Sequence, residues 1–271
     1  VACGLGPGGP DLVTQGVRDA IARVPHRYLR TTRHPSAGVV GEATSFDFLY
    51  DAADRIDDVY AGIVEALVAA ASEHGEVLYA VPGSPVVAER TVELLVADGR
   101  VAVEVGPALS LVDLAWVRLG VDPIERGVRL VDGHRFAVAA AGERGPLLVG
   151  QCDGTDVLSE IKLAIGEVAD AVAVRGGDER SDAAEPTVVV LQRLGLPDER
   201  IVEVPWHDLD RVQPDHLTSV YIPALAAPLA GEVPALAAVI RRPRGEPRRS
   251  PAPTHPDLGR LGVFWHTQGS G

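Results

Sequence analysis

The chain opens with a glycine-rich stretch that could bind phosphate. Residues 4–9 read GLGPGG and contain the pattern G-x-G-x-x-G, which in dinucleotide-binding proteins points backbone N–H groups and a helix N-terminus at a pyrophosphate. Pro7 and Pro10 have no N–H and so remove two potential donors. Asp11, where we expect the following helix to begin, places a carboxylate at the positive helix end. The stretch therefore favours a tight turn, or a ligand without phosphate, over a dinucleotide.

The end of the second expected strand leaves a nicotinamide cofactor open as an alternative. It reads RTTR, residues 30–33, without the acidic residue that would bind a ribose 2′-hydroxyl. Arg30 or Arg33 would instead suit a 2′-phosphate. An NADP-binding reductase is therefore one alternative for this chain.

Two further Gly/Pro turns accompany the first one. PGSP (82–85) and GPALS (106–110) follow the expected strands EVLYAV and VAVEV, as GPGGP (6–10) follows VACGL. The carboxyl ends of parallel strands form the ligand crevice of an open α/β sheet. Because these turns carry little charge and no bulky side chains, they favour a neutral or cationic ligand over a phosphate.

Strands and amphipathic helices alternate along the chain and must position these turns. After the second turn, Ser84 is the expected N-cap, Pro85 the first helical residue, and Gly99 the helix stop. After the third turn, Ser110 and Asp113 form a capping pattern, and Gly120 is the expected helix stop. In the first helix, valine and isoleucine recur at helical spacing, at Val13, Val17, Ile21 and Val24.

The alternation predicts an α/β fold with a mainly parallel sheet covered on both faces. It restarts after Asp122-Pro123 with the strand PLLVGQ and the helix DVLSEIKLAI, whose Leu158, Ile161 and Ile165 share one face. The polar loop GGDERSDAAEP and three more strands, ending in HLTSVYIPAL, follow. We therefore expect an N-terminal α/β domain over 1–115 and a C-terminal α/β domain over 116–230. Residues 231–271 are rich in Pro and Arg and are expected to be a disordered tail.

Composition excludes several classes of function. With 25 Lys and Arg against 38 Asp and Glu, the net charge is −13, which disfavours nucleic acid as a partner. No stretch is long and apolar enough to predict a membrane span. Two cysteines are too few for a disulfide framework, so a cytoplasmic location is expected. No motif has metal-ligand spacing, and no metal is expected.

Four stretches in a fixed order resemble the tetrapyrrole (corrin/porphyrin) methylase family, and in particular the methylase-like N-terminal domain of MazG-type nucleoside-triphosphate pyrophosphohydrolases. They are GLGPGGPDLVT (4–14), YAVPGSPVVAERTVELL (79–95), GPALSLVDLAWVRLGVDP (106–123) and PLLVGQCDGTDVLSEIKLAI (146–165). The resemblance covers about residues 1–230. It implies a two-domain tetrapyrrole-methylase-like fold, with a mainly parallel sheet in the N-terminal domain and a mixed sheet in the C-terminal domain.

The resemblance also implies a site for S-adenosylmethionine between the two domains. By position, the first loop would border the methyl acceptor, the PGSP loop would hold the methionine part, and the next turn would lie against it. The second domain would contribute one residue after its first expected strand and one near its last strand. The implied cofactor-binding residues are Leu5, Pro7, Pro82, Gly83, Ser84, Val87, Ser110, Leu111, Gln151 and Leu217.

The function implied by this resemblance is an S-adenosylmethionine-dependent methyltransferase, acting as a homodimer on a small molecule that is tetrapyrrole-like by family. No catalytic side chain is predicted. A second alternative is a non-catalytic cofactor-binding or regulatory domain from a MazG-linked architecture. No E-x-x-E or E-x-x-D helix follows residue 241, so no pyrophosphohydrolase site is expected within this chain.

Overall fold

The computed structural model describes residues 1–141, 143, 145–176 and 187–223, with the backbone alone over 167–176. The tail expected over 231–271 lies outside the described residues. So does most of the polar loop expected before residue 187.

The first sheet consists of short parallel strands. Its strands are β1 (Ala2–Gly4), β2 (Arg27–Leu29), β3 (Thr44–Ser45) and β4 (Leu78–Val81), in the order β1-β4-β2-β3. The central β4 and the neighbouring β1 are buried throughout. The expected strand VAVEV is reduced to a single parallel bridge between Ala2 and Val105, with the Ala2 N–H donating to the Glu104 carbonyl at 2.8 Å. The first and third Gly/Pro turns therefore leave neighbouring parts of the sheet.

Helices cover both faces of this sheet. They are α1 (Gln15–Arg23), α2 (Asp47–Ala52), α3 (Ile56–His74) and α4 (Arg90–Asp98). Alternate residues of β4 point to opposite faces: Tyr79 and Val81 pack with α3 and α4, while Leu78 and Ala80 pack with α1. The four residues predicted to form the apolar face of the first helix are all buried.

Two predicted helix starts are wrong. The first helix begins at Gln15 with Thr14 as its N-cap, whereas Asp11 lies exposed in a preceding 3-10 turn. The second helix begins at Arg90 rather than after Ser84. In both places the loop between strand and helix is longer than the cap residues suggest. After the PGSP turn this is because Ala88 adopts a positive φ of 53°, which no regular helix accepts.

The other predicted helix ends are confirmed. Ser110 and Asp113 form a capping box at the start of α5 (Leu111–Leu119). Gly99 and Gly120 end α4 and α5 in the left-handed conformation, with φ of 74° and 63°.

The second sheet is mixed, as expected. After α6 (Pro123–Arg126) come β5 (Arg129–Asp132), α7 (Phe136–Ala139), β6 (Leu147–Gly150), α8 (Thr155–Gly176), β7 (Thr187–Gln192), β8 (Arg200–Pro205) and β9 (Thr218–Ile222). The order is β5-β6-β9-β7-β8, with β5 and β6 parallel and the other pairs antiparallel. The sequence did not reveal β5. The predicted α/β fold, with one parallel and one mixed sheet, is confirmed. The domain boundary at 115/116 stays a prediction.

Each face of the second sheet has its own apolar layer. One face packs against α8 through Leu158, Ile161 and Ile165, the three residues predicted for that role. The other face packs against α5 through Leu148 and Tyr221. Since α5 directly follows the GPALS turn, this packing fixes the third Gly/Pro turn against the second sheet. No helix among the described residues combines the length and apolar character that a membrane span requires.

Candidate functional site

A cavity of about 260 Å³ lies between the two sheets, and we call it the first chamber. Its walls come from the three Gly/Pro turns, the loop after β2, the residue that follows β6, the β7–β8 turn and the start of β9. Nine of the ten predicted cofactor-binding residues line it, namely Pro7, Pro82, Gly83, Ser84, Val87, Ser110, Leu111, Gln151 and Leu217. Leu5, the tenth, lies in the core with 0% exposure. The structure therefore brings the predicted set together, and its role in cofactor binding stays a prediction.

Backbone strain concentrates on this chamber. Three non-glycine residues in the described part of the chain have positive φ: Ala88 at 53°, Gln151 at 56° and Arg193 at 54°. All three line the first chamber. Such conformations are unfavourable for residues with a Cβ and persist where the surrounding structure enforces them, often at ligand sites. Their clustering is a second sign, independent of the motifs, that this chamber is functional.

The first two Gly/Pro turns are joined by their backbones. The Gly6 N–H donates to the Gly83 carbonyl at 3.1 Å, and the Gly83 N–H donates to the Gly6 carbonyl at 2.8 Å. A Cβ at Gly4 would collide with that same Gly83 carbonyl, whereas a Cβ at Gly83 would have no heavy atom within 4 Å. Glycine at position 4 therefore permits the close approach of the two turns. Gly83 leaves open space beside the chamber.

The loop after β2 contacts the first Gly/Pro turn through residues that no sequence pattern marked. The Ser36 hydroxyl donates to the Gly8 carbonyl at 2.7 Å, and the Ser36 N–H donates to His34 Nδ1 at 3.2 Å. Burial lowers the pKa of the His34 imidazole, and the nearby Gly6 carbonyl offsets this only in part. His34 is therefore neutral at pH 7. The H-P-S sequence has no recognisable motif that would have predicted this contact.

The β7–β8 turn closes the other side of the chamber, a role that the sequence did not predict for it. A Cβ at Gly8 would lie 2.5 Å from the Gly195 carbonyl oxygen, so the two backbones are in direct contact. Glu199 accepts a hydrogen bond from the Gly195 N–H at 2.8 Å and pairs with Arg118 of α5 at 2.5 Å. The first Gly/Pro turn, α5 and the β7–β8 turn are thereby tied together.

A buried ion pair forms one wall of the chamber. The Arg30 guanidinium pairs with Glu89, whose side chain is 2% exposed, and donates from Nε to the Tyr50 hydroxyl at 2.8 Å. Glu89 also caps α4 by accepting from the Thr91 N–H at 3.1 Å. Burial alone would lower the pKa of Arg30, but the adjacent Glu89 raises it above its usual range. Arg30 is therefore charged and is held by Glu89 and Tyr50.

These contacts answer the question raised by the glycine motif. The helix expected at Asp11 starts four residues later, so its N-terminus does not directly follow the glycines, and the predicted repulsion between Asp11 and a phosphate at the helix end does not apply. The missing N–H groups of Pro7 and Pro10 still count against a pyrophosphate. Of the two candidate partners of a 2′-phosphate, Arg30 is already bound to Glu89, and Arg33 lines neither the first chamber nor the wider cavity that adjoins it. The structure gives the NADP alternative little support.

A second, wider cavity of about 810 Å³ adjoins the first, and we call it the second chamber. It lies between α4 and the β5 and β6 strands. The two chambers share five lining residues, Val87, Ala88, Glu89, Leu111 and Gln151. Molecules in the two chambers would therefore lie against a common wall. The second volume falls within the range of about 300–1,000 Å³ that is typical of ligand pockets, and the first lies just below that range.

Comparison with known proteins gives a family match and one curated relative. A family model described as Tetrapyrrole (Corrin/Porphyrin) Methylases matches residues 1–210. The uncharacterized protein YabN of Bacillus subtilis (strain 168) is 33% identical over 252 residues, a match that covers 89% of this chain and 48% of YabN. This chain thus spans about half the length of that relative.

Several solved structures share the fold at low sequence identity. Uroporphyrin-III C-methyltransferase from Thermus thermophilus, complexed with S-adenosyl homocysteine, superposes with a TM-score of 0.57 at 18% identity, over 83% of this chain and 96% of that one. Cobalt precorrin-4 methyltransferase CbiF gives 0.57 at 17% identity, over 83% and 95%. Diphthine synthase gives 0.55 at 14% identity, over 82% and 88%. At these identities the similarity establishes the fold.

Proposed function

This chain belongs to the tetrapyrrole (corrin/porphyrin) methylase family, and from that premise we propose that it is a methyltransferase that binds S-adenosylmethionine in the first chamber. The proposal rests chiefly on one observation: nine of the ten residues predicted for this cofactor line a single cavity between the two sheets. The S-adenosyl homocysteine bound by the Thermus thermophilus structural neighbour supports the same choice of ligand.

The residues of the first chamber fit such a ligand. Its walls are largely apolar, with the hydroxyl groups of Ser84 and Ser110 among its polar atoms. Gly83 has a φ of +64° and open space where a Cβ would lie, so a ligand can approach the backbone there. The PGSP and GPALS turns carry no charged side chain. A zwitterionic amino-acid portion and a sulfonium cation are therefore not opposed by like charge from these turns.

The chemistry asks little of the protein side chains. Bound S-adenosylmethionine supplies a methyl group that its positive sulfonium already activates. The protein must then orient the acceptor and exclude water. The turns that meet at Gly6 and Gly83 are rigid because they share two backbone hydrogen bonds, and α5 and the β7–β8 turn close the cavity behind them. This chain's contribution is thus mainly positioning.

Calorimetry with a matched pair of variants tests the binding site. We expect S-adenosylhomocysteine to bind with a micromolar Kd, or about −8 kcal/mol. Gly83→Trp should abolish binding because the indole enters the chamber. Gly127→Trp is the control, because Gly127 has the same φ of +64° and equally open surroundings but lies in neither chamber. Circular dichroism should show that both variants fold.

Two results would contradict the proposal. One is tight binding of NADP without binding of S-adenosylhomocysteine. The other is equal binding by the two tryptophan variants, which would place the ligand away from Gly83. Binding without methyl transfer to any acceptor from a metabolite extract would instead support the non-catalytic regulatory domain.

A further inference from the structure

Two of the arginines at the chambers are already neutralised by the protein. Arg30 pairs with the buried Glu89, which both chambers share. Arg90, in the second chamber, pairs with Glu93 one turn further along α4 at 2.7 Å. A ligand carboxylate at either guanidinium would therefore face a protein carboxylate of like charge.

The remaining arginine is engaged in the same way. Arg193, at the rim of the first chamber, pairs with Asp198 at 2.5 Å and with Asp215 at 2.6 Å. His34, which also lines the first chamber, is neutral at pH 7 because burial lowers its pKa. In the part of the chain that the structure describes, each arginine lining either chamber is thus paired with a carboxylate.

The second chamber combines apolar walls with an excess of negative charge. Four of its lining side chains are large, aliphatic and exposed, namely Val86, Val96, Val105 and Leu130. Its described lining residues include three carboxylates, Glu89, Glu93 and Asp132, and the guanidinium of Arg90. Because Arg30 pairs with Glu89 and Arg90 pairs with Glu93, three carboxylates against two guanidiniums leave one negative charge. The whole chain carries a net charge of −13. Exposed aliphatic side chains gathered in one concave region mark a binding surface. The charge of that surface determines which charge on a ligand is favoured.

We infer that the second chamber is the acceptor site and that the acceptor is an apolar molecule bearing a cationic group, not a carboxylate-rich tetrapyrrole. The inference rests on the proposed function, since it places the acceptor beside the first chamber. Burying a ligand carboxylate there is unfavourable, because each arginine it could reach already faces a protein carboxylate and the lining adds one further negative charge. A cation gains from that uncompensated negative charge, and the shared residues Val87 and Gln151 bring it next to the first chamber.

Three pyrenes that differ in charge test the inference directly. We expect 1-pyrenemethylamine to bind best, 1-pyrenemethanol more weakly, and 1-pyrenecarboxylate at least tenfold more weakly than the amine, by fluorescence titration of the full chain. Carboxylate-rich uroporphyrin III should not displace the amine. Val96→Trp should remove binding, because Val96 is exposed, lies on α4 and lines the second chamber alone.

A charge-reversing pair of variants isolates the electrostatic part. Glu93→Arg should narrow the preference for the amine over the carboxylate by several-fold. Glu73→Arg makes the same charge change at an exposed position of α3 that lies outside the second chamber. This variant should leave the preference for the amine over the carboxylate unchanged. Preferred binding of the carboxylate or of uroporphyrin III would overturn the inference. So would binding unaffected by Val96→Trp, or a solution dimer that buries Val96 and dissociates when the probe binds.

The two proposals fail in different ways. Gly83→Trp should block S-adenosylhomocysteine but leave pyrenemethylamine binding, while Val96→Trp should do the reverse. If no pyrene binds but S-adenosylhomocysteine binding still depends on Gly83, the acceptor inference is wrong and the proposed function stands. If S-adenosylhomocysteine does not bind, the proposed function is wrong, and the inference about its acceptor is overturned with it.

Discussion

Glu89→Gln should destabilise the protein far more than the same change at Glu93, four residues along the same helix. The Glu89 side chain is 2% exposed, and its partner Arg30 is 19% exposed. Glu93 is 68% exposed and pairs with Arg90, which is 53% exposed. The two glutamates thus make the same type of ion pair in opposite environments.

The size of the effect follows from what glutamine can still do. Removing one partner of a buried ion pair costs about 3–5 kcal/mol, because the remaining charge is left without its counter-charge. Glutamine keeps an oxygen that can accept the Thr91 N–H bond and preserve the cap of α4, which is worth about 1 kcal/mol. We therefore expect Glu89→Gln to lower the free energy of unfolding by about 2–4 kcal/mol. Glu93→Gln should lower it by less than about 0.5 kcal/mol.

Urea denaturation measures this difference. The midpoint should fall for Glu89→Gln while the slope stays constant, which shows that stability and not compactness has changed. Adding Arg30→Met to Glu89→Gln should recover part of the loss, since the unpaired guanidinium is then gone. Equal midpoints for the Glu89 and Glu93 variants would refute the reasoning, as would a double variant whose loss is the plain sum of the single losses.

Two further expectations concern the loops. Gly8→Ala should destabilise the fold by about 1–3 kcal/mol and weaken S-adenosylhomocysteine binding, because its Cβ would lie 2.5 Å from a carbonyl oxygen of the β7–β8 turn; Gly16→Ala, with no heavy atom within 4 Å in α1, should raise the denaturation midpoint, and the reverse order would contradict the packing. Burial alone would raise the pKa of Asp47, but hydrogen bonds from Thr31 and Thr32 lower it by more than burial raises it. The pKa of Asp47 therefore lies below its usual range. A carboxyl of this kind stabilises the fold above its unfolded pKa of about 3.9 and loses that effect only as the pH falls through its lower folded pKa. Asp47→Asn should therefore be destabilised at pH 7, and the difference should begin to shrink below about pH 4 and still be present in part at about pH 3. A pH-independent difference would exclude this origin.

The sequence predicted those parts of the fold that depend on local patterns. The apolar face of α1, the capping box of Ser110 and the stops at Gly99 and Gly120 each follow from residues in the helix itself or directly next to it. The lengths of the loops at the site were mispredicted, because Ser84 looks like an N-cap while the true cap is Glu89. Glutamate is an uncommon cap. Glu89 is held in the capping position by its ion pair with Arg30, which lies 59 residues away in the chain.

The site itself shows the same division between local and non-local information. Glycines and prolines mark where the turns must lie, because their conformational limits are properties of single residues. The contacts that close the chamber join residues remote in sequence: Ser36 with Gly8, and Gly8 with Gly195. Gln151, Ala88 and Arg193 adopt positive φ although none is of a type that predicts it. Packing from both sheets must enforce these conformations, so the chamber forms only when the two sheets have come together. Its strained residues mark the chamber as a ligand site because backbone strain of this kind clusters at such sites.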